Sequence, residues 1–440
     1  MTIDHTEAAL RTASETRTIL LRSDAVAEVA HVFASTFGGR PALVVADSFT
    51  YAAAGEAVQQ QLSKAGIAAG EPLLFGAPPV FHADWERVLA IEAALQGSDA
   101  IPIAVGSGTV NDLTKLAAHR ARRPYMVVGT AASMDGYTAY GAGITRDGFK
   151  LTYDCPAPVA VVADLSVLTS APLELTASGY ADLLGKVTAG ADWLVADALE
   201  VEPIDPTVWP TVQHPLRQWL SGPHRLRERD PAAMANLVEG LLLTGLAMQA
   251  ARSSRPASGS EHQFSHLWEM QGVAKGGQEP SHGFKVGIGT LAITALCERL
   301  LARDFTRLDI AALCAVWPAP QAVERRVRAT HTDPVLVEKA VDFSLAKHPT
   351  QEQLAARLRL LKERWPSLRE RLRAQLIPAA ELRQMLQAAG CPVEPEAIGL
   401  SQADLRASYV AARQIRPRYT VLDMAAEAGC LEDEAASVRV

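Results

Sequence analysis

The sequence predicts an α/β domain that is followed by an all-helical domain. Up to about residue 163, short apolar runs alternate with helical periods, and this order favours βαβ units with a parallel, doubly wound sheet. From residue 177 onward, strand-like runs disappear and helical periods follow one another. A chain of 440 residues is long enough for both domains. We therefore expect a Rossmann-like parallel-sheet domain over residues 1–165 and a mostly helical domain over residues 166–440.

The strands predicted for the first domain are short apolar runs bounded by turn residues. They lie at residues 41–46, 72–75, 101–105, 125–128 and 158–163. Helical periods cover residues 25–37, 54–65 and 83–96, and a further helix is expected after the turn at residue 106. A hairpin-like segment is expected after Asp147-Gly148.

The second domain is predicted from helical periods alone. They cover residues 177–199, 230–251, 261–271, 283–303, 309–316, 333–346 and 350–376. Residues 351–383 are rich in Arg, Glu and Gln with Leu at helical spacing, which indicates a solvated, amphipathic helical hairpin. Residues 427–440 are expected to be frayed or disordered.

Composition and charge argue against several classes of protein. The net charge of −7 is spread along the chain, so nothing favours a nucleic-acid partner. The five cysteines form no CxxC pair, which argues against a disulfide framework and favours a reducing, cytoplasmic compartment. Residues 1–20 have no apolar core of a signal peptide. The longest apolar stretch, at residues 237–251, carries Glu239, and we expect a buried helix there and no membrane insertion.

Two turns in the first domain have the composition of a cofactor cleft. The strand at residues 101–105 turns on Gly106, Ser107 and Gly108 into a helix, and free N–H groups at a helix N-terminus suit a pyrophosphate. The next strand ends in a second turn of small and hydroxyl residues, 129–133. The first turn is not the GxGxxG fingerprint, because Asn111 occupies the third glycine position. On the turn alone, a nucleotide site and a ligand-free βα turn both remain open.

A carboxylate also stands at the end of an early strand. Asp47 follows the run at residues 41–46, where an acid in dinucleotide-binding folds takes the adenine-ribose hydroxyls. The alternative is a helix N-cap formed by Asp47 and Ser48. Both interpretations stay open. If Asp47 lies beside the ribose, it would repel a 2′-phosphate and favour NADH over NADPH.

Three patches in the helical region carry candidate metal ligands. Asp182 is a single acid in an apolar helix, His262 and His266 are spaced to share one helix face, and His282 lies at a helix start. One carboxylate with two or three imidazoles suits Zn²⁺, Ni²⁺ or Fe²⁺ and leaves a coordination position for a substrate oxygen. An isolated HxxxH pair is more often a structural or solvent-facing pair than a ligand set.

The motifs together resemble one known family. GSGTVNDLTK and GTAASMDGYTA, followed by GYADLLGK, SGSEHQFSHLWEM and HGFKVG, are similar to the ordered motifs of the glycerol-1-phosphate dehydrogenases. That family is a branch of the metal-dependent (iron-type) alcohol dehydrogenase and dehydroquinate synthase-like superfamily. The resemblance covers about residues 40–300. One position departs, because Ala139 stands where the family often has a serine, so one hydroxyl contact near the nicotinamide is expected to be missing.

The resemblance implies a role for individual residues. Asp182, His262 and His282 would ligate one divalent ion, Zn²⁺ before Ni²⁺ or Fe²⁺. His266 and Asp135 would contact the substrate, with His266 relaying the proton and Asp182 counted with the catalytic residues. NAD(P)H would be bound by residues of the strand ends and turns: Asp47, Gly106, Ser107, Gly108, Thr109, Val110, Asp112, Thr130 and Ser133.

The activity implied by the resemblance is the reversible, NAD(P)H-dependent reduction of dihydroxyacetone phosphate to sn-glycerol 1-phosphate. The partner would be this small phosphorylated three-carbon substrate, in a cleft between the two domains of a homodimer. Three alternatives stay open: a dehydrogenase for another polyol or sugar phosphate, a dehydroquinate-synthase-like enzyme, and a non-catalytic nucleotide-binding protein. Dehydroquinate synthases carry a glutamate where this chain has Asp182.

Overall fold

The computed structural model describes residues 3–76, 82–146 and 149–440. The chain forms two compact units, and each is built from two segments. The first comprises Met1–Leu183 with Pro210–Ser254, and the second comprises Leu184–Trp209 with Arg255–Val440. The domain boundary predicted after residue 165 falls inside the first unit and stays a prediction.

The first unit is organised around a six-stranded parallel sheet, as predicted. Its strands are β1 (Thr18–Arg22), β2 (Ala42–Asp47), β3 (Leu73–Phe75), β4 (Ile101–Gly106), β5 (Met126–Gly129) and, after the two strands of a hairpin, β8 (Ala160–Asp164). The sheet order is β1-β8-β5-β4-β2-β3, with every neighbouring pair parallel. Strands β2, β4, β5 and β8 are buried along their whole length, because helices cover both faces of such a sheet.

The helices of the first unit follow the predicted alternation. They are α1 (Ile3–Thr12), α2 (Val29–Phe37), α3 (Ser48–Thr50), α4 (Glu56–Lys64), α5 (Trp85–Leu95), α6 (Gly108–Arg120), α7 (Leu165–Ser170), α8 (Leu173–Leu184), α10 (Trp209–Gln213), α11 (Leu216–Trp219), α12 (Pro223–Arg227) and α13 (Pro231–Ala251). A 3₁₀ turn at Ala25–Glu28 precedes α2, and a π-helical turn at Tyr51–Gly55 precedes α4.

Two details of the first unit differ from the prediction. Strand β1 was not predicted, because it is a short edge strand whose apolar run is only three residues long (19–21) and only half-buried. The hairpin consists of β6 (Ala142–Arg146) and β7 (Phe149–Tyr153), so it begins before the expected start after Asp147-Gly148. Those two residues lie outside the described part of the chain.

Helix α13 is buried, as the sequence predicted. Among the described residues it is the one helix long and apolar enough to cross a membrane by length and composition, but 78% of that window is buried inside the protein. Glu239 is only 2% exposed, and its Oε2 accepts a hydrogen bond from Trp219 Nε1 at 3.3 Å. A buried, hydrogen-bonded acid is typical of a core helix.

The second unit contains helices and no strand among its described residues. Its helices are α9 (Lys186–Ala198), α14 (Ser260–Met270), α15 (His282–Leu301), α16 (Ile310–Ala315), α17 (Pro320–Thr330), α18 (Pro334–Ala346), α19 (Gln351–Gln375), α20 (Ala379–Ala389), α21 (Gln402–Gln414), α22 (Val421–Glu427) and α23 (Leu431–Ser437). The single helical period predicted at residues 177–199 is two helices, α8 and α9, which are separated at Gly185. Helix α19 is amphipathic, as predicted, with a buried face of Leu354, Leu358, Leu361, Trp365, Leu368 and Leu372.

The prediction of frayed residues 427–440 was wrong. Helix α23 lies in this segment, and Leu431 and Val438 are buried. Glu434 pairs with Arg299 at 2.6 Å and with Arg303 at 2.5 Å. These partners are distant in the sequence, so the local polarity of the segment did not reveal them.

Candidate active site

The first predicted turn has the geometry of an anion-binding helix N-terminus. Gly106 ends β4, and a Cβ there would lie 2.5 Å from the Val110 Cβ on the first turn of α6, so only glycine fits. Ser107 is the N-cap of α6, but its side chain makes no capping hydrogen bond. The turn therefore leaves first-turn N–H groups, those of Gly108 and Thr109 among them, to other acceptors, as a phosphate site requires.

The second turn lies directly beside the first. β4 and β5 are neighbours in the sheet, with Gly106 opposite Gly129. The N–H of Thr130 donates to the Gly106 carbonyl at 3.1 Å, and the buried Tyr137 hydroxyl lies 3.1 Å from the same carbonyl oxygen and 2.8 Å from that of Ala131. The two turns that the sequence assigned to neighbouring strands are thus joined.

Side chains of α6 fix the chain that follows the second turn. Asp112 Oδ2 accepts a hydrogen bond from the N–H of Gly143 at 3.0 Å, and Asn111 Oδ1 accepts one from the Tyr125 hydroxyl at 3.1 Å. Lys115 is 1% exposed and donates to the carbonyls of Gly136, Ala139 and Gly141 at 2.8–3.1 Å. The structure therefore gives Asp112 a contact within the protein, and its cofactor contact stays a prediction.

Asp47 is a helix N-cap in the structure. Its Oδ1 accepts hydrogen bonds from the N–H groups of Phe49 at 2.8 Å and Thr50 at 2.9 Å, and Thr50 Oγ1 accepts from the Asp47 N–H. Of the two interpretations that the sequence left open, this geometry shows the cap. A ribose contact through the other carboxylate oxygen stays a prediction.

The segment around Ser133 is held against α8 at three points. Ser178 Oγ donates to the Ser133 carbonyl at 3.2 Å, and the Asp135 N–H donates to Asp182 Oδ2 at 3.0 Å. A Cβ at Gly179 would overlap the carbonyl of Ala132, so this helix position must be glycine for the loop to approach. These contacts bring the SMDG and GYAD motifs together and fix the backbone of Asp135 against Asp182, which is fully buried.

Three imidazoles converge at α14 and the start of α15. The ring centroids of His262 and His282 are 5.3 Å apart, those of His266 and His282 are 5.8 Å apart, and those of His262 and His266 are 6.2 Å apart. The helical spacing of His262 and His266 places both on one face of α14, as predicted. Ser281 caps α15 through the Phe284 N–H, and this cap fixes the start of the helix that carries His282.

Two acids that the sequence analysis did not single out orient these rings. The distance from His262 Nδ1 to Glu261 Oε1 is 2.7 Å, and that from His282 Nδ1 to Glu269 Oε1 is 2.9 Å. Glu269 Oε2 lies 3.4 Å from His266 Nδ1. A carboxylate on Nδ1 orients the ring so that Nε2 can serve as the ligand atom, an arrangement typical of metal-binding histidines. The signal was present in the sequence, because both acids lie inside SGSEHQFSHLWEM.

Electrostatics keep His266 uncharged and Glu261 charged. Desolvation, together with the nearby cation of Arg416, lowers the pKa of His266 to about 3 although Glu269 acts in the opposite direction. Desolvation alone would raise the pKa of Glu261, but hydrogen bonds from His262, Gly259 and Thr188 hold it below its usual value. A neutral imidazole beside an ionised acid is the state that a metal or a proton-transfer step needs.

The structure brings one ligand atom from each of Asp182, His262 and His282 within 4.8 Å of one another. These are the three residues predicted as metal ligands, and among the described residues this is the cluster that could hold an ion. One carboxylate oxygen and two imidazole nitrogens fit Zn²⁺ and other first-row divalent ions. His266 is not part of this group.

Comparison with known proteins shows which family the chain resembles. Residues 20–172 match the family model of iron-containing alcohol dehydrogenases. A glycerol-1-phosphate dehydrogenase (NAD(P)+) from Halalkalibacterium halodurans is 38% identical over 255 residues, which is 58% of this chain and 64% of the relative, slightly under two thirds of its length. A protein of the same name from Bacillus velezensis is 33% identical over 300 residues, which cover 68% of this chain and 76% of that protein.

A solved structure shows the same fold. A probable glycerol dehydrogenase from Sinorhizobium meliloti superposes with a TM-score of 0.60 over 97% of this chain and 99% of that chain, at 15% identity. That identity supports the fold alone. The relatives in sequence support more, and the chain belongs to the glycerol-1-phosphate dehydrogenase family.

Proposed function

We propose that this chain interconverts dihydroxyacetone phosphate and sn-glycerol 1-phosphate with NAD(P)H and one divalent metal ion. The relatives are named for this activity, with NAD(P)+ as the cofactor. The observation that supports the proposal most is the group formed by Asp182, His262 and His282. Each of its histidines has a carboxylate on Nδ1, which leaves Nε2 for the ion.

In this proposal Asp182, His262 and His282 hold the ion, and His266 faces the substrate. When bound, the ion supplies a Lewis acid for the carbonyl oxygen and the nicotinamide supplies the hydride. The metal is Zn²⁺, Ni²⁺ or Fe²⁺, since the donor set accepts all three. The N–H groups after Ser107 bind the pyrophosphate.

The chain's own residues also handle the proton. Desolvation lowers the pKa of His266 and keeps the imidazole neutral, so His266 would hydrogen-bond the substrate hydroxyl and relay its proton to water or to a ribose hydroxyl without itself becoming charged. Asp135 is fixed by its N–H bond to Asp182 and orients the substrate hydroxyls. Ser133 and Thr130 contact the cofactor.

A homodimer and a cytoplasmic location belong to the same proposal. All five cysteines are free thiols, which fits a reducing compartment. The substrate is a small phosphorylated three-carbon molecule.

The test measures oxidation of NADH and of NADPH by metal-reconstituted protein with three substrates. Dihydroxyacetone phosphate, dihydroxyacetone and glyceraldehyde 3-phosphate are compared, and metal-stripped protein is the control. Metal-dependent turnover confined to dihydroxyacetone phosphate, with sn-glycerol 1-phosphate as the product by chiral analysis, supports the proposal. Turnover of an unphosphorylated polyol alone contradicts it, as does normal activity of a His262→Ala variant that still binds metal.

A further inference from the structure

The proposed substrate carries a phosphate group, and an arginine or lysine side chain is a common partner of phosphate in proteins. Most of the cations in and next to α14 are already paired. Lys285 contacts Glu269 at 3.2 Å and Glu279 at 2.6 Å, and Arg255 contacts Glu202 at 3.3 Å. Lys347 and Arg413 both pair with Asp423, at 2.9 and 3.4 Å.

Arg416 is the exception. It lies in the loop between α21 and α22, is half-buried, and makes neither a hydrogen bond nor an ion pair within residues 3–76, 82–146 and 149–440. Arginine side chains that lose solvent without gaining a partner pay a desolvation cost, which a bound anion recovers.

The loop that carries Arg416 is fixed to the histidine helix. Gln263 Nε2, next to His262 on α14, donates to the Arg418 carbonyl at 3.4 Å. Arg418 Nη1 donates to the Ser258 carbonyl at 2.5 Å, and Arg255 Nη1 donates to the Tyr419 carbonyl at 2.9 Å.

The other end of the loop is also held. Lys347 Nζ donates to the Arg413 carbonyl at 2.6 Å, and Pro417 restricts the backbone directly after Arg416. Arg416 is therefore presented from a loop that is anchored on both sides.

The guanidinium of Arg416 lies within electrostatic range of the site. Desolvation lowers its pKa, and the charge of Glu269 partly offsets that effect. The same guanidinium contributes to the low pKa of His266, after the larger effect of desolvation. The charge of Arg416 thus influences both His266 and Glu269, which fits a loop that contacts α14 through Gln263.

We propose that Arg416 binds the phosphate group of the substrate and so places its three-carbon part against His266. This inference rests on the proposed function, which it deepens by naming the phosphate contact. The planar guanidinium donates two parallel hydrogen bonds to phosphate oxygens, which a lysine does not do. Arg416 then makes the site bind phosphorylated substrates more tightly than unphosphorylated substrates with the same carbon skeleton.

The test compares Arg416→Gln and Arg416→Lys with the wild type. A matched control, Arg413→Gln, removes a charge three positions earlier that already has Asp423 as its partner. We expect Arg416→Gln to raise KM for dihydroxyacetone phosphate by about 10- to 100-fold, as for the loss of a charge-assisted contact. The KM of Arg416→Lys should lie between those of the wild type and Arg416→Gln, since lysine keeps the charge but lacks the planar guanidinium. Metal content and kcat/KM for unphosphorylated dihydroxyacetone should stay unchanged, and KM of Arg413→Gln should stay near the wild-type value.

A second readout does not depend on turnover. Inorganic phosphate, titrated by calorimetry into metal-loaded protein, should bind the wild type and the Arg413→Gln variant but not Arg416→Gln. Equal phosphate affinity, or an unchanged KM, in folded Arg416→Gln overturns the inference while leaving the proposed function intact. If wild-type protein does not turn over dihydroxyacetone phosphate, the proposed function fails, and the phosphate titration still decides whether Arg416 is an anion site.

Discussion

Asp192 Oδ2 accepts a hydrogen bond from the backbone N–H of Ser260 at 2.5 Å. The Ser260 hydroxyl donates to the same oxygen at 2.7 Å, and the N–H of Val421 donates to Oδ1 at 2.6 Å. One buried carboxylate on α9 thus caps the first residues of two helices, α14 and α22. It ties the histidine helix to the C-terminal part of the chain.

Replacing Asp192 by asparagine should destabilise the protein although the side chains have the same shape. Both carboxylate oxygens of Asp192 accept hydrogen bonds from backbone N–H groups. The asparagine amide has one oxygen only, so its NH₂ group would face one of these N–H donors. We expect a loss of about 1–3 kcal/mol in the free energy of unfolding, measured by denaturant titration. Asp309→Asn is the control, because Asp309 is exposed and caps α16 through the single N–H of Ala312. An equal effect of both substitutions would contradict the double-cap interpretation.

The same carboxylate predicts a pH dependence of stability. Burial, reinforced by the charge of Glu261, raises the pKa of Asp192 from 3.8 to about 6. Because the folded protein holds this proton more tightly than the unfolded chain, the stabilisation that comes from the raised pKa is full below pH 3.8 and is lost as the pH rises to about 6, whereas the two helix caps remain. The stability advantage of the wild type over Asp192→Asn should therefore shrink between those pH values. An advantage that grows with pH in this window would refute the raised pKa.

Glu269→Gln should weaken Zn²⁺ binding while the protein stays folded. Glu269 holds His282 Nδ1 at 2.9 Å and the ammonium of Lys285 at 3.2 Å, so the variant loses the carboxylate that orients a proposed ligand. We expect the Kd for Zn²⁺ to rise about 10- to 100-fold in competition with a chromogenic chelator.

The matched control for that variant is Glu279→Gln. Glu279 also contacts Lys285, at 2.6 Å, but its side chain is 60% exposed and contacts no histidine in the described part of the chain. The Kd of this variant should stay within about twofold of the wild type. Unchanged Zn²⁺ affinity in folded Glu269→Gln would argue against the orienting role.

Gly179→Ala should disturb the segment that carries Asp135. The added methyl would overlap the Ala132 carbonyl, and neither backbone can move freely, because Asp135 is bonded to Asp182 on the same helix. We expect a loss of about 1–3 kcal/mol in thermal or denaturant unfolding and weaker NADH binding by fluorescence. Gly70→Ala is the control, because a Cβ at Gly70 meets nothing within 4 Å. The free energy of unfolding of this variant should stay within about 0.5 kcal/mol of the wild-type value. A Gly179→Ala protein that matches this control would show that the loop tolerates displacement.

Local spacing in the sequence predicted the features that a few consecutive residues encode. Backbone preferences and helical periodicity predict the strand-turn-helix at Gly106 and the common face of His262 and His266. The motif set also identified the family, which the relatives confirmed.

The remaining features depend on residues that are distant in the chain, and only the tertiary structure decides which of them meet. The edge strand β1 is defined by its pairing with β8, and the end of the chain is ordered by the contacts of Glu434 with Arg299 and Arg303. The double cap by Asp192 and the unpartnered position of Arg416 have the same origin. Side-chain type alone sets what a residue can bind, whereas packing determines which donors and charges lie within bonding distance of it.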